Sequence, residues 1–327
     1  MDIATLRQEL GLGPEHASWL HELDRLTPAP APLPPRDRAP HVLDWFALTG
    51  HDAEELVELW PDAAWPATAR WLLERMYARI QADLGSPHWW DCPAPMAAAD
   101  ARLRCAPVYA FAAALPMLRA YHARHGVPVE VTAATLADVG RHVAKTRRMY
   151  GRVGLELPTW VALHYRGGLY ELGRLQYEPS VVGPGETTPP GAPEPGTPVL
   201  RLHIPQAGPL DPAAVTASLR RARPFFAAHF GVDYRIASCS SWLLDGQLAH
   251  YLPEDANIVD FQRRFTGAAA WAEDGDADVF RFIFDRPEVD LAALASVPQH
   301  SRLHRAVVEH LRWGGHWRRC YGWLELP

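Results

Sequence analysis

"LRLHIPQAGPLDPAAV" occupies residues 200–215. Its first half alternates: Leu200, Leu202 and Ile204 fall on one side of an extended chain, Arg201 and His203 on the other. Its last residues open a helix. Asp211 suits the N-cap, and Pro212 the first helical position, where a missing N–H forfeits no bond. Between them lies a short loop carrying Gly208. Strand, glycine turn and helix start bring unpaired amide hydrogens and the positive end of a helix dipole to one place, and that favours an anion.

Outward from this stretch the chain has two grammars. Residues 1–126 read as helical. "PATARWLLERMYARIQADLG" is the clearest case, with Pro66 at its start, Gly85 after its end, and Trp71, Arg75, Ala78 and Ala82 on one face. "PVYAFAAALPMLRAYHARHG" is a second helix, kinked or split at Pro116. "LTPAPAPLPPRDRAP" is proline-rich and extended. From residue 127 onward, "VPVEVTAATLADVGRHVAKTRRMYG" starts extended and becomes a helix with Thr132 as N-cap, ending near Gly151. "TWVALHYR" and "LYELGRLQYE" flank Gly167 and Gly168 as a hairpin. Residues 179–198 hold too much proline and glycine for an element and read as a mobile loop. "DYRIASCSSWLL" is a strand, "DGQLAHYL" a short helix, "NIVDFQRRFTG" and "DVFRFIF" strands, "SRLHRAVVEHLRWGG" a helix and "RRCYGWLEL" a last strand. The expected class is α+β: a helical domain over 1–126, then over 127–327 a mixed, mostly antiparallel sheet with flanking helices.

Composition bounds the function. The chain has 327 residues, 48% hydrophobic and 21% charged, with a formal charge of −6. A mildly acidic surface does not suit phosphate neutralisation, so no nucleic-acid partner is expected. The N-terminus "MDIATLRQELGLG" is no signal peptide, and the apolar run around Pro116 is too short to span a bilayer. No membrane partner and a cytoplasmic location follow as expectations. Arginine so outnumbers lysine (Lys145 is the lone one) that a GC-rich, bacterial coding sequence is implied and lysine catalysis has almost no candidate. Cys92, Cys105, Cys239 and Cys320 are widely spaced and form no metal or redox pair. His300 and His304 stand four apart without a third ligand, so no metal is expected.

The stretches "LRLHIP", "GPLDP", "CSSWLL", "NIVDFQRRF" and "GGHWRRCYGWLEL" resemble the GNAT-like (GCN5-related N-acetyltransferase) C-terminal domain of actinobacterial and related acyltransferase-like proteins. The helical first part resembles the N-acyltransferase N-terminal domain that accompanies it. The resemblance implies acyl-CoA as co-substrate, its pantetheine inserted where two strands part near Ile204 and its pyrophosphate on the following loop. The family's usual phosphate signature is Arg/Gln-x-x-Gly-x-Gly/Ala; here Gln206 and Gly208 are available, but the second small residue is replaced by proline or leucine, a departure from the pattern. It implies cofactor contacts from Ile204, Gln206, Ala207, Gly208, Leu210, Ser240 and Ser241.

Acyl transfer to an amine needs a base, a polarised carbonyl and a proton for the thiolate. His203 is the first candidate base, at the strand end; Glu171 is a second, while Glu178 reads as a solvated strand end. Tyr251 stands where the broad fold often places a general acid, and Cys239 is a conceivable nucleophile for thioester hydrolysis. Trp242, Asn257 and Arg263 are expected to meet substrate, and "HWWDCP" and "WGGHW" to line an apolar pocket. The expected function is acyl-CoA-dependent N-acyl transfer to a small-molecule amine in a ternary complex. The alternative is a non-catalytic module that has lost coenzyme binding, motivated by the altered loop. Oligomeric state and acyl length are not encoded in these patterns.

Overall fold

A computed structural model describes residues 2–86, 91–183, 191–272 and 274–327, of which 268–272 are described by backbone. Two compact units divide the chain after Tyr170. This differs from the expected boundary after 126. "Val-Pro-Val" reads as extended because a residue before proline avoids the helical region, yet Pro128 is itself the N-cap of the next helix.

The first unit holds helices α1 (Ile3–Glu9), α2 (Ala17–Arg25), α3 (Ala39–Leu43), α4 (Gly50–Glu58), α5 (Ala67–Asp83), α6 (Ala101–Arg124), α7 (Val129–Tyr150) and α8 (Pro158–Tyr165). Helix α6 is its axis. From Leu103 to Leu115 every residue is buried, as suits a helix apolar on all sides. It runs as one helix through Pro116, since the loss of one amide there is offset by burial on both sides. Helix α5 buries Ala69, Leu72, Met76 and Ile80; the expected face of Trp71, Arg75, Ala78 and Ala82 is half-buried or exposed. Here the smaller aliphatic residues, not the tryptophan, mark the core side. The proline-rich stretch is extended and rests Ala29, Ala31 and Leu33 on the same core.

"TWVALHYR" is helical, not a strand. Pro158 at the first position starts α8, and Gly167 with φ of 70° lets the chain leave it. The hairpin turn lies further on, where Leu172 N–H donates to Leu175 O at 3.0 Å around Gly173, whose φ is 90°. Thr132 is an interior residue of α7 that donates to Pro128 O and bonds His122 at 2.8 Å.

The second unit holds β1 (Tyr170–Glu171), β2 (Gln176–Val181), β3 (Pro198–His203), α9 (Pro212–Phe230), β4 (Ile236–Ser241), α10 (Asn257–Arg263), β5 (Thr266–Ala272), α11 (Gly275–Ile283), α12 (Arg302–Arg312) and β6 (Arg319–Glu325). The strand order is β1-β2-β3-β4-β6-β5. The pairs β2/β3, β4/β6 and β5/β6 are antiparallel and β3/β4 is parallel, so the sheet is mixed and mostly antiparallel.

Three local expectations are corrected in this unit. "NIVDFQRRF" and "DVFRFIF" form helices α10 and α11; each alternates over too few residues to separate a period of 2 from one of 3.6. The edge strand is instead the alanine-rich "TGAAAWA" of β5, which no β-propensity marks. Pro179 to Val181 and Pro198 belong to the β2/β3 ladder rather than to a loop, with Pro179 opposite Leu200. Residues 184–190 of that loop, and Trp89 and Trp90, lie outside the described residues. Pro224 sits inside α9 without dividing it.

Asp245 fixes the exit from β4. Its carboxylate is fully buried and accepts from the amides of Gln247 (3.1 Å) and Arg318 (2.9 Å), from Gln247 Nε2 (2.8 Å) and from Arg318 Nη2 (3.0 Å). Burial disfavours its charge, but the Arg318 and Gln247 donors outweigh burial and hold the carboxyl below its usual range. Asp245→Ala is therefore expected to cost about 3 kcal/mol, read as a lowered denaturation midpoint; an unchanged midpoint would contradict this role.

Candidate active site

The β3/β4 ladder consists of two pairs, Leu200–Ala237 and Arg201–Ser238. Strand β3 continues to His203 and β4 to Ser241, while each stays fully paired with its outer neighbour. The two-pair register ends at Arg201 and Ser238, short of both strand ends. Leu200 and Leu202 are buried on one face, whereas Arg201 and His203 are half-buried on the other.

His203 has a carboxylate partner. Its Nε2 lies 2.8 Å from Glu178 Oε2. The register explains the contact: His203 opposes Gln176, so Glu178 is its diagonal neighbour on the same face of the hairpin. Both side chains are largely buried, at 28% and 19% exposure. Glu171 stands elsewhere. It is buried on β1, one strand further out, and accepts from Gln176 Nε2 at 3.0 Å. A sequence reading could not find the Glu178 pair, because the register depends on where the 179–198 excursion begins.

The loop after β3 is exposed from Gln206 to Pro209, with Leu210 buried beneath it. Among the described residues, the amides of Gln206, Gly208 and Leu210 meet no protein acceptor; the Ala207 amide turns onto Pro205 O at 2.8 Å. Gly208 has φ of 93°, and a side chain there would meet nothing within 4 Å. The Gln206 side chain is not turned to this loop: its amide donates to Phe282 O on α11. Asp211 caps α9 by accepting from Ala214 N–H at 2.8 Å, which occupies one helix-start amide. Arg174, on the hairpin turn, donates to Pro209 O (2.8 Å), Pro205 O (3.2 Å) and Gly208 O (2.7 Å). Nothing in the sequence marked it, since these three acceptors are main-chain oxygens of a loop 31 to 35 residues away.

The remaining candidates divide. Ile204 is half-buried at the strand end and Ser240 is exposed on β4. Ser241 accepts from Leu243 N–H at 3.1 Å and caps the following turn. Trp242 is buried in a separate apolar cluster, edge-on to Trp317 with ring centres 6.2 Å apart, so it is core. Tyr251 is half-buried in that same region, its hydroxyl 3.0 Å from His310 Nδ1, away from the strand gap in its bonding. Asn257 opens α10, and exposed Arg263 donates to Glu254 O at 3.0 Å. Its neighbour Arg264 is the one that reaches the first turn of α9, through Thr216 Oγ1 (2.9 Å) and Pro212 O (3.2 Å). The "WGGHW" stretch does not form one pocket: Trp313 is 82% exposed and Trp317 fully buried. Another histidine–carboxylate pair of this unit joins His316 Nδ1 to Asp276 at 2.7 Å. That carboxylate also caps the Trp317 amide, and His316 is 60% exposed.

Cys239 is buried, and burial pushes its thiol up to about 12. A thiolate is required for attack on a thioester, so Cys239 is packing rather than nucleophile. Cys239→Ala is expected to leave turnover within about twofold; a loss of all activity would restore the nucleophile. Lys145, the one lysine, is buried 3.5 Å from Glu156. Among the described residues no helix is long and apolar enough to cross a membrane.

Comparison with known proteins places both units of the chain in a family. Residues 37–167 match the N-acyltransferase N-terminal domain and residues 169–324 the GNAT-like C-terminal domain. A crystal structure of an acyltransferase in complex with decanoyl-CoA and teicoplanin shares 39% identity over 100% of both chains, with a TM-score of 0.88. An acyltransferase in complex with CoA and 10C-teicoplanin matches at 39% identity and TM-score 0.89, and an acyltransferase mutant in complex with octanoyl-CoA at 39% and 0.87, each over 100% of both chains. Among curated proteins no match is found. This chain belongs to the acyltransferase family that joins an N-acyltransferase N-terminal domain to a GNAT-like C-terminal domain.

Proposed function

We propose that this protein transfers an acyl group from acyl-coenzyme A to an amine of a small molecule, directly and without an acyl-enzyme. The observation that carries the reading is the loop after β3, whose Gln206, Gly208 and Leu210 amides meet no protein acceptor, next to a β3/β4 ladder of only two pairs. An extended pantetheine chain bonds a strand edge as a short strand would. The amides of Gln206, Gly208 and Leu210 suit a diphosphate. The decanoyl-CoA and teicoplanin bound to the 39% identical relative support a long aliphatic acyl donor and a glycopeptide acceptor here.

His203 is the proposed base and Glu178 its positioning partner. A carboxylate that accepts from Nε2–H favours the tautomer whose basic nitrogen is Nδ1 and stabilises the imidazolium as it forms. The amine nitrogen attacks the thioester carbonyl carbon and loses its proton to the imidazole. As the tetrahedral adduct collapses, the C–S bond breaks, the new C–N bond remains, and the thiolate takes up the proton that the imidazolium gives back and leaves as coenzyme A. Buried Cys239 argues against a covalent route. The alternative of a module without coenzyme binding has against it the loop amides that meet no protein acceptor.

The test is product mass. Incubation with decanoyl-CoA and a deacylated teicoplanin-type glycopeptide should yield an acceptor heavier by one decanoyl group, with coenzyme A released one for one. Hydrolysis of the thioester without a heavier acceptor would refute amine transfer.

A further inference from the structure

We infer that Arg174 is the positioning residue that shapes the coenzyme loop, and that it acts on the diphosphate end of the donor alone. The inference rests on the acyl-CoA reading above. One guanidinium donates to three carbonyls of a five-residue stretch: Pro205, Gly208 and Pro209. Among the described residues no peptide bond is cis. In a trans peptide plane the carbonyl and the next residue's N–H point in opposite directions. Drawing Pro205 O and Pro209 O toward Arg174 therefore turns the amides of Gln206 and Leu210 to the other side of the loop. The third captured carbonyl, of Gly208, precedes Pro209, which has no N–H to turn.

Two consequences follow for an anion on the far side. It meets amide hydrogens without the carbonyl dipoles that would repel it, since these are occupied by the guanidinium. It also meets a fixed array, because the two prolines and three bonds hold a loop that Gly208 would otherwise leave free. Arg174 substitutes for what the altered signature lacks: proline and leucine stand where a small residue would let the backbone wrap the phosphates unaided. Lysine could supply the charge at this place but not the planar fork that spans three acceptors.

The experiment compares decanoyl-CoA with decanoyl-pantetheine, which has no diphosphate, as donors for the wild type, Arg174→Ala and Arg174→Lys. The wild type should show the lower KM for decanoyl-CoA. Both variants should raise that KM about tenfold or more, the loss expected when charge-assisted bonds go. Their kcat at saturation, and all parameters with decanoyl-pantetheine, should stay within about twofold, because the chemistry lies elsewhere. A general loss of structure would lower activity with both donors. Full recovery of KM in Arg174→Lys would overturn the clamp in favour of charge alone. An unchanged KM in Arg174→Ala overturns the inference and leaves the coenzyme reading intact. A wild type that does not prefer decanoyl-CoA to decanoyl-pantetheine overturns the diphosphate reading itself.

Discussion

Replacing His203 by alanine is expected to lower kcat about a hundredfold to ten-thousandfold, the range that a positioned base supplies. The effect should fall on kcat and leave donor affinity nearly unchanged, since the role proposed for the imidazole is toward the amine and not the coenzyme. Glu178→Gln should lower kcat in the same direction by a smaller factor, because the hydrogen bond at Nε2 survives while its charge does not. His316→Ala provides the contrast. It breaks a histidine–carboxylate pair elsewhere in the second unit and is expected to leave kcat within about threefold, as its Asp276 serves the Trp317 amide. Steady-state rates of coenzyme A release measure all three. Equal losses in the His203 and His316 variants would contradict the assignment.

The second large effect concerns acid. His122 and His142 lie inside the helical unit, and burial lowers each to about 4 from an ordinary value of 6.5. His122 bonds Thr132 through Nδ1, and its Nε2 has no partner. His142 faces Asp138 at 3.7 Å and leaves Nδ1 without a bond. Both are therefore held neutral when folded. Between pH 6.5 and 4 the unfolded chain binds protons that the folded chain refuses, so stability is complete above 6.5 and falls as pH drops toward 4. Two such groups remove about 4 kcal/mol between pH 7 and pH 5, a large share of a stability of roughly 5–15 kcal/mol. Asp138 shifts the other way. Its burial disfavours charge, but His164, His142 and Arg141 outweigh it and hold the carboxyl well below its usual range, so its contribution persists until pH falls below about 4. Urea titrations at pH 7, 6 and 5, followed by hydrogen exchange in α6 and α7, should show the decline. The double variant His122→Gln, His142→Gln should flatten it. An equally steep decline in that variant would assign the acid sensitivity to other groups.

How much of this was written in the chain can be argued from particular residues. The strand, loop and helix around Gly208 were legible because three strong local signals coincide: alternation, an N-cap with proline after it, and a single glycine. The expectation that two strands part near Ile204 comes from the family resemblance rather than from any residue, since strand pairing is non-local. Helix α8 was misread because aromatic and β-branched residues next to paired glycines imitate a hairpin, while Pro158 at its start weighed too little. β5 was missed for the opposite reason: alanines carry no strand preference, and their pairing with β6 decides. In the site, His203 was visible as a type and position. The Glu178 partnership and Arg174 were not, because one depends on hairpin register and the other on main-chain oxygens of a loop distant in sequence.

The claim on which the rest depends is that the loop from Gln206 to Leu210 and the adjoining ends of β3 and β4 receive acyl-coenzyme A. Isothermal titration of the full chain with decanoyl-CoA tests it most directly. Saturable one-to-one binding with a dissociation constant below about 1 mM, weakened when Arg174 is replaced, is the predicted result. No heat of binding at millimolar ligand would contradict it.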